Sequence, residues 1–273
     1  MQATTEHHGY LREEELVERL MATIPARWPH VGRARSAVLM REVDCYQGRA
    51  DVVRAVFPVS RCPRRANEIS ELLVHPSAAR VLARLHARAP RSETFLEGAT
   101  GLSRPVLRQR IRQLVDSGLV RATSRGLLLR RAGGAMPEPE IWSFEAKLSK
   151  WRRALYQAMQ YRGFSHRAVV VMPANRAAAA LANLERFRRL GVGLVLLDEA
   201  GCRVAHWPPK TAPFSRALFN IAVGRALGAF CSPGDRRQTP ATARNSSIAS
   251  NHCPRWLASD PASKAAPAFS SRA

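Results

Sequence analysis

A short predicted strand that ends in a carboxylate and an ammonium group constrains this chain more than any other stretch. Residues 141–144 alternate large apolar and smaller side chains, as strands do. Glu145 and Lys147 follow two positions apart, so both side chains point the same way on an extended backbone. Residues 148–162 then carry apolar side chains at helical spacing. We therefore predict a strand and a helix that share one polar rim.

A second acidic residue lies within an apolar predicted strand. Residues 37–43 and 50–57 have the composition of two strands, and residues 44–48 have that of a turn between them. Asp51 is flanked by valines on the second of these strands. Because a buried, unpaired carboxylate is costly, we expect Asp51 to have a partner or a metal ion.

Together these features resemble the PD-(D/E)XK nuclease superfamily, which has the restriction-endonuclease-like fold. The shared pattern is an Asp on one strand, a Glu-x-Lys on the next, a glutamate on the preceding helix and a Gln-x-x-x-Tyr on the following one. The resemblance covers roughly residues 10–59 and 138–225. The chain departs from the name-giving motif because Ala50, and not proline, precedes Asp51.

The resemblance implies a role for each matching residue. Asp51 and Glu145 would hold Mg²⁺ or Mn²⁺ with the backbone carbonyl of Ala146, and Lys147 would assist the attacking water. The helix glutamate would be Glu14, Glu15 or Glu18, of which we favour Glu15 as the one facing the sheet edge. Gln157 and Tyr161 would lie near the substrate backbone. The implied catalytic set is Asp51, Glu145, Lys147, Glu15, Gln157 and Tyr161.

Residues 60–137 follow a different pattern, with helices of differing length and then a hairpin. This order resembles a winged helix-turn-helix domain, with residues 102–119 as the recognition helix. A winged helix that contacts protein is the alternative. A domain inserted at this point explains how Asp51 and Glu145 can lie on neighbouring strands although they are distant in sequence. The predicted DNA contacts are Arg104, Arg108, Arg110, Arg112, Arg121 and Arg125.

The charge of the chain indicates the kind of partner. It has 43 Lys and Arg against 21 Asp and Glu, a formal net charge of +22. Such a field favours a polyanion, either nucleic acid or an acidic membrane surface. An arginine-rich bias of the genome is the alternative explanation, but the clustering of the arginines favours nucleic acid. No apolar run approaches membrane-spanning length, so we expect no membrane partner.

The cysteines indicate the compartment. There are five, scattered along the chain with no Cys-x-x-Cys pair. This argues against a zinc site and against a disulfide framework, and it suits a reducing cytosol. We expect a cytoplasmic, nucleoid-associated protein.

These observations lead to one predicted architecture and two candidate functions. We predict an α/β protein with a restriction-endonuclease-like, mixed-sheet core over 1–59 and 138–227, a winged-helix insert over 60–137 and a disordered tail over 228–273. The favoured function is metal-dependent hydrolysis of DNA. The alternative is a transcriptional regulator with an inactive nuclease-like domain or a sensor domain. The sequence leaves open whether the substrate is single- or double-stranded, and whether the protein is a homodimer.

Overall fold

A six-stranded mixed β-sheet with helices on both faces forms the centre of a mixed α/β fold. The computed structural model describes residues 12–27, 36–46, 48–58, 65–131 and 138–232. The strands of the large sheet are β1 Ser36–Asp44, β2 Arg49–Phe57, β5 Glu140–Ala146, β6 Arg167–Pro173, β7 Val192–Asp198 and β8 Gly201–His206. A separate hairpin consists of β3 Val120–Ala122 and β4 Leu128–Arg130.

Helices connect the strands and cover the sheet. They are α1 Glu13–Arg27, α2 Ala66–Leu73, α3 Pro76–Arg84, α4 Glu93–Thr100, α5 Arg104–Asp116, α6 Trp151–Tyr161, α7 Ala178–Leu181, α8 Leu184–Leu190 and α9 Arg216–Cys231. A 3₁₀ turn, Ala174–Arg176, precedes α7. Among the residues that the structure describes, no helix is both long and apolar enough to span a lipid bilayer.

The strand order is β1-β2-β5-β6-β7-β8. Strands β5, β6 and β7 are parallel to one another, and the remaining pairs are antiparallel. Strand β2 pairs with β5, with Val52 opposite Phe144, although helices α2 to α5 and the β3–β4 hairpin separate them in sequence. The prediction that these two strands lie side by side is therefore confirmed.

Apolar residues on the two faces of the sheet explain the layers. On one face, Leu16, Leu20 and Ile24 of α1 pack against the apolar residues of β2, β5, β6 and β7. On the other face, α6, α7 and α8 cover β6 and β7, while α9 covers β1 and β2. Strands β6 and β7 are buried on both faces, which explains why they are continuous apolar runs.

Two helices differ from what the sequence pattern alone favours. Residues 175–190 have the alanine-rich pattern of one helix, but the structure breaks them into the 3₁₀ turn, α7 and α8. At the break, the Asn183 side chain donates to the Ala179 carbonyl (2.9 Å), and asparagine favours such local bonds over a helix interior. Helix α9 continues one turn past the predicted end at 227, because Phe230 stacks on Phe57 with ring centroids 4.6 Å apart. From residue 233 onward, the predicted tail lies outside the described residues.

The segment between β2 and β5, residues 66–130, is here named the helical insert; it contains α2 to α5 and the β3–β4 hairpin. The Ser92 hydroxyl accepts from the Phe95 amide (3.1 Å), so Ser92 caps the N-terminus of α4. Arg91 forms an antiparallel bridge to Leu128, which adds a short third segment beside the hairpin. The insert core is continuous with the core under α9, so apolar packing joins the insert to the sheet.

Small residues hold α9 against the helical insert. The Ser70 hydroxyl of α2 donates to the Gly224 carbonyl of α9 (2.8 Å). The fully buried Asn220 donates to the Ala79 carbonyl of α3 (3.1 Å). A Cβ on Gly224 would lie 2.9 Å from the Leu73 Cβ and 3.1 Å from the Ser70 carbonyl oxygen. These helices therefore approach one another as closely as glycine allows.

Gly224→Ala is expected to lower the free energy of unfolding by about 1–3 kcal/mol, because backbone atoms of α2 must move to admit the methyl group. The loss should occur although alanine favours helix by about 1 kcal/mol over glycine. Chemical denaturation measures it. The matched control is Gly98→Ala in α4, where an added Cβ meets no atom within 4 Å. Equal stability of the two variants would contradict the close packing.

Two of the cysteines are free thiols in the fold, Cys45 in the core and Cys202 half-buried on β8. Burial raises the pKa of the Cys45 thiol to about 12, so that thiol is unreactive at neutral pH.

Candidate functional site

The acidic residues singled out in the sequence meet at one edge of the sheet, where β2 begins and β5 ends. Val52 pairs with Phe144, so Asp51 and Glu145 are the next residues outward on the two strands. The backbone amide of Ala146 donates to the Asp51 Oδ2 atom (2.8 Å). The antiparallel pairing of β2 with β5 therefore brings the two carboxylates together.

Glu145 is a buried carboxylate with two partners. Its side chain is 1% exposed, and the Tyr161 hydroxyl donates to its Oε2 atom (2.7 Å). The Lys147 Nζ atom lies 3.1 Å from its Oε1 atom. The Tyr161 hydroxyl also lies 2.9 Å from the Arg49 carbonyl oxygen, so its single proton is shared between two acceptors. Tyr161 thus links Glu145 to the start of β2.

Lys147 lies between two carboxylates. In addition to its contact with Glu145, its Nζ atom donates to Glu13 Oε2 (2.9 Å). The Lys147 side chain is 13% exposed. Its backbone amide donates to the Val171 carbonyl of β6 (3.0 Å), which holds the residue against the sheet. The ammonium group therefore has a defined position in which both flanking groups are acidic.

The glutamate of α1 that reaches the site is Glu13, which the sequence analysis did not propose for this role. The favoured Glu15 is exposed on α1, and Glu18 lies 3.9 Å from Arg41. A signal for Glu13 was present: it precedes Leu16 by three positions and so continues the buried stripe of the helix toward the sheet.

Burial raises the pKa of both site carboxyls, and the charge of Asp51 raises that of Glu145 further. Burial raises the pKa of Asp51 despite the Ala146 amide and Lys147. Burial and then the charge of Asp51 raise the pKa of Glu145, against the hydrogen bonds from Tyr161 and Lys147. Burial disfavours the charged form of Lys147, but Glu13 and Glu145 outweigh it and raise the lysine pKa. Lys147 is therefore an ammonium ion at neutral pH.

The β1–β2 turn rests on the site. Gly48 has a φ of +106°, which favours glycine, and a Cβ there would lie 3.3 Å from the Tyr161 Cε1 atom. Gln157 lies one turn before Tyr161 on α6, and its Oε1 atom is buried without a hydrogen-bond partner among the described residues. The predicted accessory residues Gln157 and Tyr161 are thus both at the site. Tyr161 is engaged with Glu145, and the Gln157 oxygen is an unused acceptor.

The donors suit a hard divalent cation. Carboxylate and carbonyl oxygens are the ligands of Mg²⁺, which is usually bound through one or two carboxylates together with water and substrate phosphates. Asp51 and Glu145 provide two carboxylates whose charges repel one another, and a cation would relieve that repulsion. Within the described ranges, no group of three or more His, Cys, Asp or Glu side chains is arranged as a metal site. For Mg²⁺, two carboxylates together with water and substrate phosphates are a sufficient set of ligands.

The predicted DNA-contacting arginines differ in their surroundings. Arg104 pairs with Glu97 of α4 (2.9 Å), and Arg108 pairs with Glu93 (2.6 Å). Arg110 is half-buried and bonds within the helical insert. Arg112, Arg121 and Arg125 are exposed, as are Arg104 and Arg108. Five of the six are therefore at the surface of the insert, and two of these five already have acidic partners.

The site thus combines two carboxylates that repel one another, a fixed ammonium group and a phenol at one end of a sheet. Such a group can bind a hard cation, orient a water molecule and stabilise negative charge that develops on a phosphate. No family model, no curated protein and no solved structure matches this chain.

Proposed function

We propose that this protein is a metal-dependent DNA nuclease with a restriction-endonuclease-like core and a winged-helix insert that docks on DNA. The observation that carries the proposal is the convergence of Asp51, Glu145 and Lys147 on two neighbouring strands, tied by the Ala146-to-Asp51 hydrogen bond (2.8 Å). A glutamate from α1, Glu13, completes the group through Lys147 (2.9 Å). These residue types and their order on the elements are those that the sequence resemblance implies for phosphodiester hydrolysis.

Each residue has a separate task in this mechanism. Asp51 and Glu145 would hold the cation, which when bound neutralises phosphate charge and lowers the pKa of a water ligand. Lys147, held as an ammonium ion, donates hydrogen bonds and cannot serve as a base at neutral pH. It orients the attacking water or stabilises the charge that develops on the phosphate. Tyr161 fixes the orientation of the Glu145 carboxylate.

The charge of the chain supports a nucleic-acid substrate. At +22, the protein attracts polyanions from a distance, and exposed arginines on the helical insert can bind phosphate. Arg104 and Arg108 are exposed ion pairs with Glu97 and Glu93. Such exposed pairs are weak, so phosphate groups can replace the carboxylates. The insert is therefore suited to bind DNA through backbone contacts.

Cleavage of plasmid and short linear DNA tests the proposal. The wild-type protein is expected to cut with Mg²⁺ or Mn²⁺ and to be inactive with a chelator. A double variant, Asp51→Asn with Glu145→Gln, purified in parallel, excludes a contaminating nuclease, since it should bind DNA without cutting it. Tight DNA binding by the wild type without cutting under either metal would contradict the nuclease. That result would favour the regulator, and a search for a preferred operator sequence would follow.

A further inference from the structure

The tip of the β1–β2 turn carries an aromatic side chain in an unusual backbone conformation. Tyr46 has a φ of +64° and is 58% exposed. Bulky residues rarely adopt positive φ, and a residue held in this way frequently has a functional role. The Tyr46 amide donates to the Asp44 Oδ1 atom (2.7 Å), which holds the turn in shape. The ring is therefore presented to solvent from a fixed backbone.

This turn adjoins the carboxylate site. Two residues after Tyr46, Gly48 lies so close to Tyr161 that an added Cβ would be 3.3 Å from its Cε1 atom. The next residue, Arg49, accepts from the Tyr161 hydroxyl through its carbonyl (2.9 Å). The Tyr161 hydroxyl also bonds Glu145 (2.7 Å). Gly48 and Arg49, at the end of this turn, are thus connected to the buried glutamate through Tyr161.

A cationic side chain follows three residues after Tyr46 in sequence. Arg49 lies two residues before Asp51 on β2, so the two side chains point to the same face of the sheet. The Arg49 side chain is 65% exposed and lies 3.5 Å from Glu42 at the sheet edge. An exposed arginine beside the carboxylates is placed to contact a phosphate next to the one that is cleaved.

We propose that Tyr46 and Arg49 form a nucleotide subsite, in which the Tyr46 ring stacks on an unpaired base and Arg49 binds the adjoining phosphate. This inference rests on the proposed nuclease function and specifies its substrate. Aromatic rings stack on any base whose face is free, and bases inside an intact duplex have no free face. The substrate class is therefore DNA with an unpaired base beside the scissile phosphate, such as a single strand or a junction with a single-stranded arm.

Binding without catalysis tests the subsite. Fluorescence anisotropy in chelator would compare a labelled single strand with a labelled blunt-ended duplex that has no unpaired bases. Tyr46→Asn removes the ring but keeps a residue that tolerates positive φ. It is expected to weaken single-strand affinity by about tenfold and to leave duplex affinity unchanged. Tyr46→Phe keeps the stacking face and should bind like the wild type. Arg49→Gln should weaken binding and reduce its salt dependence by about one phosphate contact.

The matched control is Tyr156→Ala on α6, because Tyr156 is also 58% exposed but is not part of the turn. It should bind single strands with wild-type affinity. Unchanged single-strand affinity of Tyr46→Asn would overturn the subsite, and so would an equal loss on the duplex. A parallel cleavage assay with Mg²⁺ separates the two proposals. Wild-type protein that does not cut refutes the nuclease, while a Tyr46-dependent preference for single strands in chelator would still establish the subsite.

Discussion

Lys147→Ala is expected to lower the rate of DNA cleavage by about 10²–10³-fold, the usual effect of removing one donor that stabilises charge in a transition state. The Lys147 ammonium group is held between Glu13 and Glu145, and these two residues raise its pKa. DNA affinity should change little. The Lys147 side chain is only 13% exposed, and it would make one of many contacts between the protein and DNA. Single-turnover cleavage and a binding titration in chelator together measure the effect.

The control for this variant is Lys150→Ala, which removes an exposed lysine three residues further along the chain. It should cleave at the wild-type rate. Lys147→Ala also leaves Glu145 with one partner fewer, so thermal unfolding should be recorded and cleavage measured well below the transition. A folded Lys147→Ala protein that cuts DNA at the wild-type rate would remove Lys147 from the mechanism.

Glu145→Gln is expected to lower cleavage by at least about 10³-fold and to raise the free energy of unfolding at neutral pH by on the order of 1 kcal/mol. Burial and the charge of Asp51 raise the pKa of Glu145 above its ordinary value of 4.5. A carboxyl with a raised folded pKa binds its proton more tightly in the folded state, so stability falls as pH rises through that folded pKa. Glutamine abolishes this loss.

Denaturant titrations between about pH 5 and pH 8 test the sign of this effect. The stability of Glu145→Gln should decline less over this range than that of the wild type. Glu140→Gln is the opposite control. Burial disfavours ionisation of Glu140, but Lys210 and Arg167 outweigh it and lower its pKa. Glu140 therefore adds stability at neutral pH, and its replacement should destabilise the protein there. If both variants shifted stability in the same direction, the conclusion that Glu145 has a raised pKa in the folded protein would be wrong.

The strands were the part of the fold that the sequence predicted best. The predicted strands 37–43 and 50–57 correspond to β1 Ser36–Asp44 and β2 Arg49–Phe57. Apolar β-branched runs bounded by turn residues favour strands strongly, so few alternatives compete. The mixed α/β class follows from the alternation of such runs with helical stretches. The broken helix over 175–190 was missed because alanine-rich sequence satisfies helical spacing whether or not tertiary packing keeps one helix.

The sequence singles out the central residues of the candidate site but not Glu13 at its edge. Asp51, Glu145 and Lys147 stand out because charged residues are unusual at the ends of apolar strands. Tyr161 was singled out because its spacing on the following helix places it on the polar rim shared with Glu145 and Lys147. Glu13 was not, because several glutamates share the first turn of α1, and only the approach of the helix to the sheet decides which one reaches Lys147. Contacts between elements distant in sequence are not encoded in local periodicity.

The position of the helical insert has a consequence for the order in which the chain assembles. The bond between Asp51 and Ala146 joins residues 95 apart in sequence, and the insert between them packs on α9, which follows the sheet strands in sequence. Closing so long a loop is entropically slow, whereas helices within the insert form from local contacts. The carboxylate pair is therefore completed late in folding. A chain still emerging from the ribosome would lack the joined pair, so the proposed cleavage of DNA would begin only once the whole fold had formed.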